Sequence, residues 1–130
     1  MNKKMDFMLG NSGLLTQKSL DFLWQKQKVI MNNIANNDTP GFKAQYVTFE
    51  EEMRGRLLGS VGKTSSQMRS EIENANIRVR NTKAESTRLD GNNVNMDVES
   101  VEMARTTLQY EYLVKAFNSD YTRLRTAIKG

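Results

Sequence analysis

The side chains with the most chemical potential are few. Glu50, Glu51 and Glu52 form a run of carboxylates that could in principle face a cation, but consecutive acids of this kind usually make a solvated face. The chain has no histidine and no cysteine. Zinc or iron would therefore have only carboxylates to bind, and a nucleophile would need a Ser-Lys or carboxylate arrangement. Gly62-Lys63-Thr64 looks like the end of a phosphate loop. The glycine required five residues earlier is Leu57, so the match fails. Gly55, Gly59 and Gly62 are not spaced as a dinucleotide fingerprint. These observations predict no catalytic residue, metal site or cofactor.

The basic groups are the next candidates. Residues 54–92 carry eight Lys/Arg against four Asp/Glu, which accounts for the whole net charge of +4. Phosphate binding needs such charge, but this stretch has almost no aromatic residue for base stacking. The expectation is a solvated segment or a patch facing an acidic partner, with no nucleic acid.

The elements that must position any site fall into three zones. From Ser12 to Asn36 the spacing predicts a helix roughly 35 Å long. Leu20, Leu23, Gln27, Ile30 and Ile34 form its seam, Ser12 can cap its start, and Lys26 and Lys28 favour its carbonyl end. Asn36-Asn37-Asp38-Thr39-Pro40-Gly41 stops it, with Pro-Gly suited to a type II turn. Residues 43–93 read as a polar middle that is largely irregular, with a short strand at Ile77-Arg78-Val79-Arg80.

From Val94 onward a second helix is predicted, roughly 50 Å long. Asn95 or Asp97 can cap it. Val98, Val101, Ala104 and Leu108 form one stripe, which Leu113, Phe117, Tyr121, Leu124 and Ile128 continue. The expected fold is mainly α: an elongated pair of terminal helices (1–42 and 94–130) around a small middle. The second helix outruns the first, and an apolar remainder of that kind marks an interface. Hydrophobic residues are only 38% of the chain, so neighbours are expected to supply part of the burial. Apolar runs reach three residues, far short of a membrane span, and the N-terminus does not read as a cleaved signal. Trp24, Met1, Met5 and Met8 read as packing groups. On the residues alone, a polymerising subunit and a non-polymerising helical adaptor both fit.

Asn33-Ile34-Ala35-Asn36, two variable positions, then Thr39-Pro40-Gly41-Phe42 resembles the signature of bacterial flagellar rod and hook axial proteins. Gly91-Asn92-Asn93-Val94, with Asp97 and Glu99 following, is similar to that family's entry to the C-terminal helix, with Asn95 where aspartate is common. The ending Arg123 to Gly130 adds to the likeness. The resemblance implies a structural subunit of the proximal basal-body rod, with a FlgC-like subunit as the alternative within the family. It implies export through the flagellar type III apparatus without signal cleavage, assembly in the periplasm into a hollow helical rod, and transmission of torque. Implied partners are copies of itself, rod subunits of the FlgC, FlgF and FlgG type, a FliE-type junction protein and the membrane ring. Helix pairing and subunit contact would fall to Leu20, Leu23, Ile30 and Ile34 with Val101, Ala104, Leu108, Leu113, Phe117, Tyr121, Leu124 and Ile128. Leu14 and Leu15, with Phe7, are candidates for export recognition.

Overall fold

The computed structural model describes residues 3–129, with side chains from Gly10 onward. Its elements are α1 (Lys3–Ala35), β1 (Gln45–Thr48), α2 (Glu50–Gly59), α3 (Ser65–Asn74), β2 (Arg78–Asn81) and α4 (Met96–Lys129). The terminal helices α1 and α4 lie side by side and antiparallel: Lys26 meets Glu102 at 3.1 Å, Asn33 meets Glu99, and the Ser12 end of α1 lies by Phe117 and Leu124.

The helix ends follow local chemistry. α1 extends upstream of the expected start, and Gly10 breaks it with φ 69° and ψ −163°. Ser12 therefore lies inside the helical run, where its carbonyl accepts the Thr16 hydroxyl at 2.9 Å. At the other end, the Asn36 side-chain amide donates to the Asn32 carbonyl at 2.8 Å, beside the backbone bond from Asn36 N–H to the same oxygen at 3.1 Å. No basic residue stands in the last turn of α1; Lys26 is committed to Glu102. α4 starts later than Val94. The Asn95 side chain accepts from the Asp97 and Val98 amides at 3.1 and 3.3 Å, so Asn95 is the cap and Asp97 is not.

The middle is more ordered than the sequence reading allows. β1 and β2 pair antiparallel with Tyr46 opposite Arg80 and Val47 opposite Val79. Two ten-residue helices stand between them. Three glutamates in the first turn of α2 and Arg56 in its last suit the helix dipole. Thr64 and Gln67 form a reciprocal capping box at the start of α3. Each helix buries one principal apolar group, Met53 and Ile72. Arg56 ties the helices together by contacts to Glu52 and Glu71 at 3.3 and 3.2 Å.

Leu14, Phe22 and Leu23 of α1 pack with Phe49, Met53, Ile72 and Ala75 to form the core. The Phe22 and Phe49 rings stack with centroids 5.2 Å apart, joining α1 to the β1–α2 corner. Each such ring contributes about 1.5–3 kcal/mol by burial. Among the described residues, no helix is long and apolar enough to cross a membrane.

Candidate assembly junction

The signature residues meet where α1 ends and α4 begins. Asn33 is 1% exposed and serves three elements at once. Its amide nitrogen donates to the Gln45 carbonyl at 2.8 Å and to Glu99 Oε1 at 3.1 Å, while its oxygen accepts from the Gln45 amide at 2.9 Å. One side chain thus continues the β1 backbone onto α1 and links both to α4.

Glu99 sits in that contact with its carboxyl pushed above the ordinary carboxylate range. Burial raises it most; the Asn33 hydrogen bond pulls the other way, and the Glu102 charge adds to the rise.

Asn92 is the second hub and is fully buried. Its amide nitrogen donates to the carbonyls of Asn36 and Thr39, both at 2.8 Å. Its oxygen accepts from the Val94 amide at 2.8 Å and from Arg88 Nη1 at 3.3 Å. The Asn92 carbonyl accepts the Ser86 hydroxyl. The turn after α1 and the entry to α4 are therefore one hydrogen-bonded unit.

Backbone contacts extend the unit. Within the turn, Phe42 N–H donates to the Thr39 carbonyl at 3.2 Å, with Gly41 at φ 73°. This matches the expected type II geometry, whose third residue needs positive φ. Gly41 N–H donates to the Asp90 carbonyl at 2.7 Å, and Asn93 N–H to the Phe42 carbonyl at 3.2 Å. Asn93 Oδ1 accepts from Ala44 N–H at 2.6 Å, and Lys43 reaches the Gly91 carbonyl. Gly91 lies against Gly41, where an added Cβ would stand 3.6 Å from the Gly41 Cα.

Asn33, Asn36 and Thr39 enter this network through side chain or carbonyl, Gly41 and Phe42 through the backbone. Ile34 and Phe42 are half-buried, while Ala35 and Pro40 are exposed. Arg88, Ser86 and Asp90 were missed by sequence reasoning. Arg88 binds Asn37 Oδ1 at 3.1 Å and Asp90 at 3.2 Å besides Asn92. No periodicity marks it; its proximity to Gly91-Asn92 is the single cue the sequence offers.

The helix seams divide. Leu23 and Ile30 are buried, and Leu20 and Ile34 half-buried. Leu113, Phe117 and Leu124 are half-buried. Val101, Ala104, Leu108, Tyr121 and Ile128 are exposed in the single chain. Here α4 turns a polar line toward α1: Glu99, Glu102, Thr106 and Thr107, with Gln27 donating to Thr107 at 3.3 Å. Hydrophobic spacing could not have found that line. Trp24 is half exposed, with the Lys28 ammonium 3.8 Å from its ring centre. Leu14 is in the core and Leu15 packs against it. The side chains of Phe7, Met1, Met5 and Met8 lie outside the described residues.

Comparison with known proteins places the chain among flagellar rod proteins. The family described as flagella basal body rod protein matches residues 23–43, from α1 through the turn. A flagellar basal body rod protein FlgB of Bacillus subtilis (strain 168) is 33% identical, covering 81% of this chain and 83% of its own length. FlgB of Escherichia coli (strain K12) is 33% identical over 88% of this chain and 90% of its own length. The chain belongs to the FlgB family of flagellar basal body rod proteins. FlgB of Yersinia enterocolitica is 31% identical, with 88% of this chain covered. The FlgB matches cover α4 as well as α1, so they span both halves of the junction. As a member of this family the chain is a structural rod subunit.

Proposed function

We propose that this subunit polymerises in the periplasm with copies of itself and with neighbouring rod subunits, and that it has no catalytic role. The observation that carries this reading is the division of labour between the two faces of the helix pair. The junction of Asn33 and Asn92 fixes how α1 hands over to α4. Val101 at 65% and Leu108 at 67% exposure are left without a partner in the single chain. A stable corner with unpaired apolar stripes is suited to docking between subunits and ill suited to life as a monomer.

In this reading the chain is exported through the flagellar type III apparatus without cleavage of a signal. It joins FlgC, FlgF and FlgG type subunits above a FliE-type junction protein and the membrane ring. The buried hydrogen bonds of the junction resist twisting between α1 and α4, which is what a torque-bearing rod requires. Basic groups of the middle face protein neighbours.

The test is deletion of the gene in its native host, followed by restoration. The expected result is a non-motile strain without rods, rescued by the full chain but not by one lacking residues 123–130. A motile deletion strain with complete rods would sink the reading. Sedimentation of the purified chain separates the alternatives: a rod subunit grows with concentration, whereas an adaptor saturates at one size.

A further inference from the structure

Gly10 stands inside α1 at φ 69° and ψ −163°, with helix on both sides of it. Those angles belong to a region that glycine alone occupies readily. No atom lies within 4 Å of an added Cβ, so the torsion calls for glycine here and crowding does not. A residue in that conformation interrupts the helical hydrogen bonds around it and turns the chain. Residues 3–9 therefore leave the axis that residues 11–35 follow.

α4 does not turn with it. Phe117, Asp120, Leu124 and Ala127 form its α1-facing side at this end and, with Ser12, Gly13 and Thr16, border a cavity of about 370 Å³. Past that cavity the last two turns of α4 lack cover. Leu124 is half-buried, and the rest of residues 122–129 are exposed, Ile128 at 62%. Lys26–Glu102, Gln27–Thr107 and Asn33–Glu99 give the register of the pair. An α1 that ran straight on at that register would lay residues 3–9 along residues 122–128. At helical spacing from Ser12 and Gly13, it would bring Leu9, Met8 and Met5 to the α4 side. The same closure would set Asp6 near Arg125 but Lys3 and Lys4 near Lys129. Charge is thus close to balanced, and apolar contact decides.

We infer that Gly10 is the hinge of a strap: residues 3–9 swing between the bent arrangement and a straight one in which they close over the last two turns of α4. In the bent form Leu124 and Ile128 stay open to water or to another molecule. In the straight form the chain covers them itself. Glycine keeps both forms available. It weakens the straight helix relative to alanine, and it permits the bent form, which alanine resists. The chain can thus hide or present the end of α4 without disturbing the corner of Asn33 and Asn92 at the far end of the pair. The device belongs to the single chain and stands or falls apart from the rod reading.

The chain has no cysteine, so spin labels can be placed in pairs. One pair sits at Lys4→Cys and Asp21→Cys, the other at Lys4→Cys and Arg125→Cys. Each labelled chain is diluted into an excess of unlabelled chain, so that only distances within one copy are read. Along a straight helix the first pair spans about 26 Å, at about 1.5 Å per residue. The expected result for the chain with Gly10 is a shorter distance. Gly10→Ala should raise the straight population roughly tenfold or more, moving the first pair to about 26 Å and the second to within about 20 Å. Ile128→Asp added to Gly10→Ala should part the second pair and leave the first unchanged. Neither substitution touches the core. A first pair already at the straight-helix distance with Gly10 in place, or unmoved by Gly10→Ala, overturns the hinge. A straight α1 whose second pair stays apart means that something other than this segment covers α4, and overturns the strap. A second pair indifferent to Ile128→Asp overturns it too. Rods and swimming play no part in these distances, so their failure leaves the rod reading untouched.

Discussion

Replacing Asn92 with alanine removes a side chain that holds four groups together at a site with no access to water. The Asn36 and Thr39 carbonyls lose donors at 2.8 Å, and the Val94 amide loses an acceptor at the same distance. The Arg88 contact at 3.3 Å is longer, and Arg88 keeps Asn37 and Asp90 as partners. The Asn36 and Thr39 carbonyls each keep one backbone donor, at 3.1 and 3.2 Å, so the Val94 amide is the group left stranded. The stranded amide costs about 1–3 kcal/mol and each of the two lost carbonyl hydrogen bonds about 0.5–1.5 kcal/mol, for a sum of about 2–5 kcal/mol. Against a total stability of about 5–15 kcal/mol this is a large fraction. With a urea slope of about 1–3 kcal/mol per molar, the unfolding midpoint should fall by roughly 2 M. Asn76→Ala is the control, because the Asn76 side chain is exposed and among the described residues only its backbone amide is bonded, to Glu52 at 3.4 Å. Equilibrium unfolding followed by circular dichroism measures both. Equal midpoints for Asn92→Ala and Asn76→Ala would refute the argument that Asn92 fastens the turn to α4.

Other outcomes follow from single contacts. Gly41→Val should cost about 1–2 kcal/mol through positive φ alone, since no atom lies within 4 Å of an added Cβ; Gly41→Asn should cost less, and comparison of their midpoints checks this. The same Gly41→Val change should impair rod assembly more than export, measured as exported against rod-bound protein. Glu99 has a raised folded pKa, so its burial destabilises the fold as pH rises past the unfolded carboxylate value. Glu99→Gln should therefore stabilise the chain at neutral pH, with the gain vanishing as pH drops below that value, in urea titrations at several pH values. Thr64→Ala removes the α3 capping box and should cost about 1 kcal/mol, read as a midpoint shift that Thr64→Ser largely avoids.

The terminal helices were legible because their apolar residues recur at helical spacing and their ends carry Asn, Pro and Gly. The middle helices were not, because each buries only one principal apolar residue, too few to set a period against a run of Glu, Arg, Gln and Ser. The one local sign, Thr64-x-x-Gln67, is a capping box whose force depends on the helix that follows it. Ile72 is buried because Leu14 and Phe22 approach from 58 and 50 positions away along the chain, which no local window contains.

The α1–α4 contact makes a sharper point. Hydrophobic spacing selects Val101 and Leu108 as the pairing face of α4, yet the chain turns Glu102 and Thr106 inward. In the polar line facing α1, Lys26, Gln27 and Asn33 satisfy Glu102, Thr107 and Glu99, while the buried Thr106 hydroxyl has no partner among the described residues. The apolar stripe is thereby freed for another surface. Periodicity reports which face avoids water without saying whether its own chain or a neighbour covers it. A subunit that must first exist alone and then polymerise has reason to separate the two tasks: polar contacts that specify one internal pairing, and apolar ones held for assembly. The corner at Asn33 and Asn92 joins these tasks, because it fixes the direction in which α4 carries its stripe away from α1.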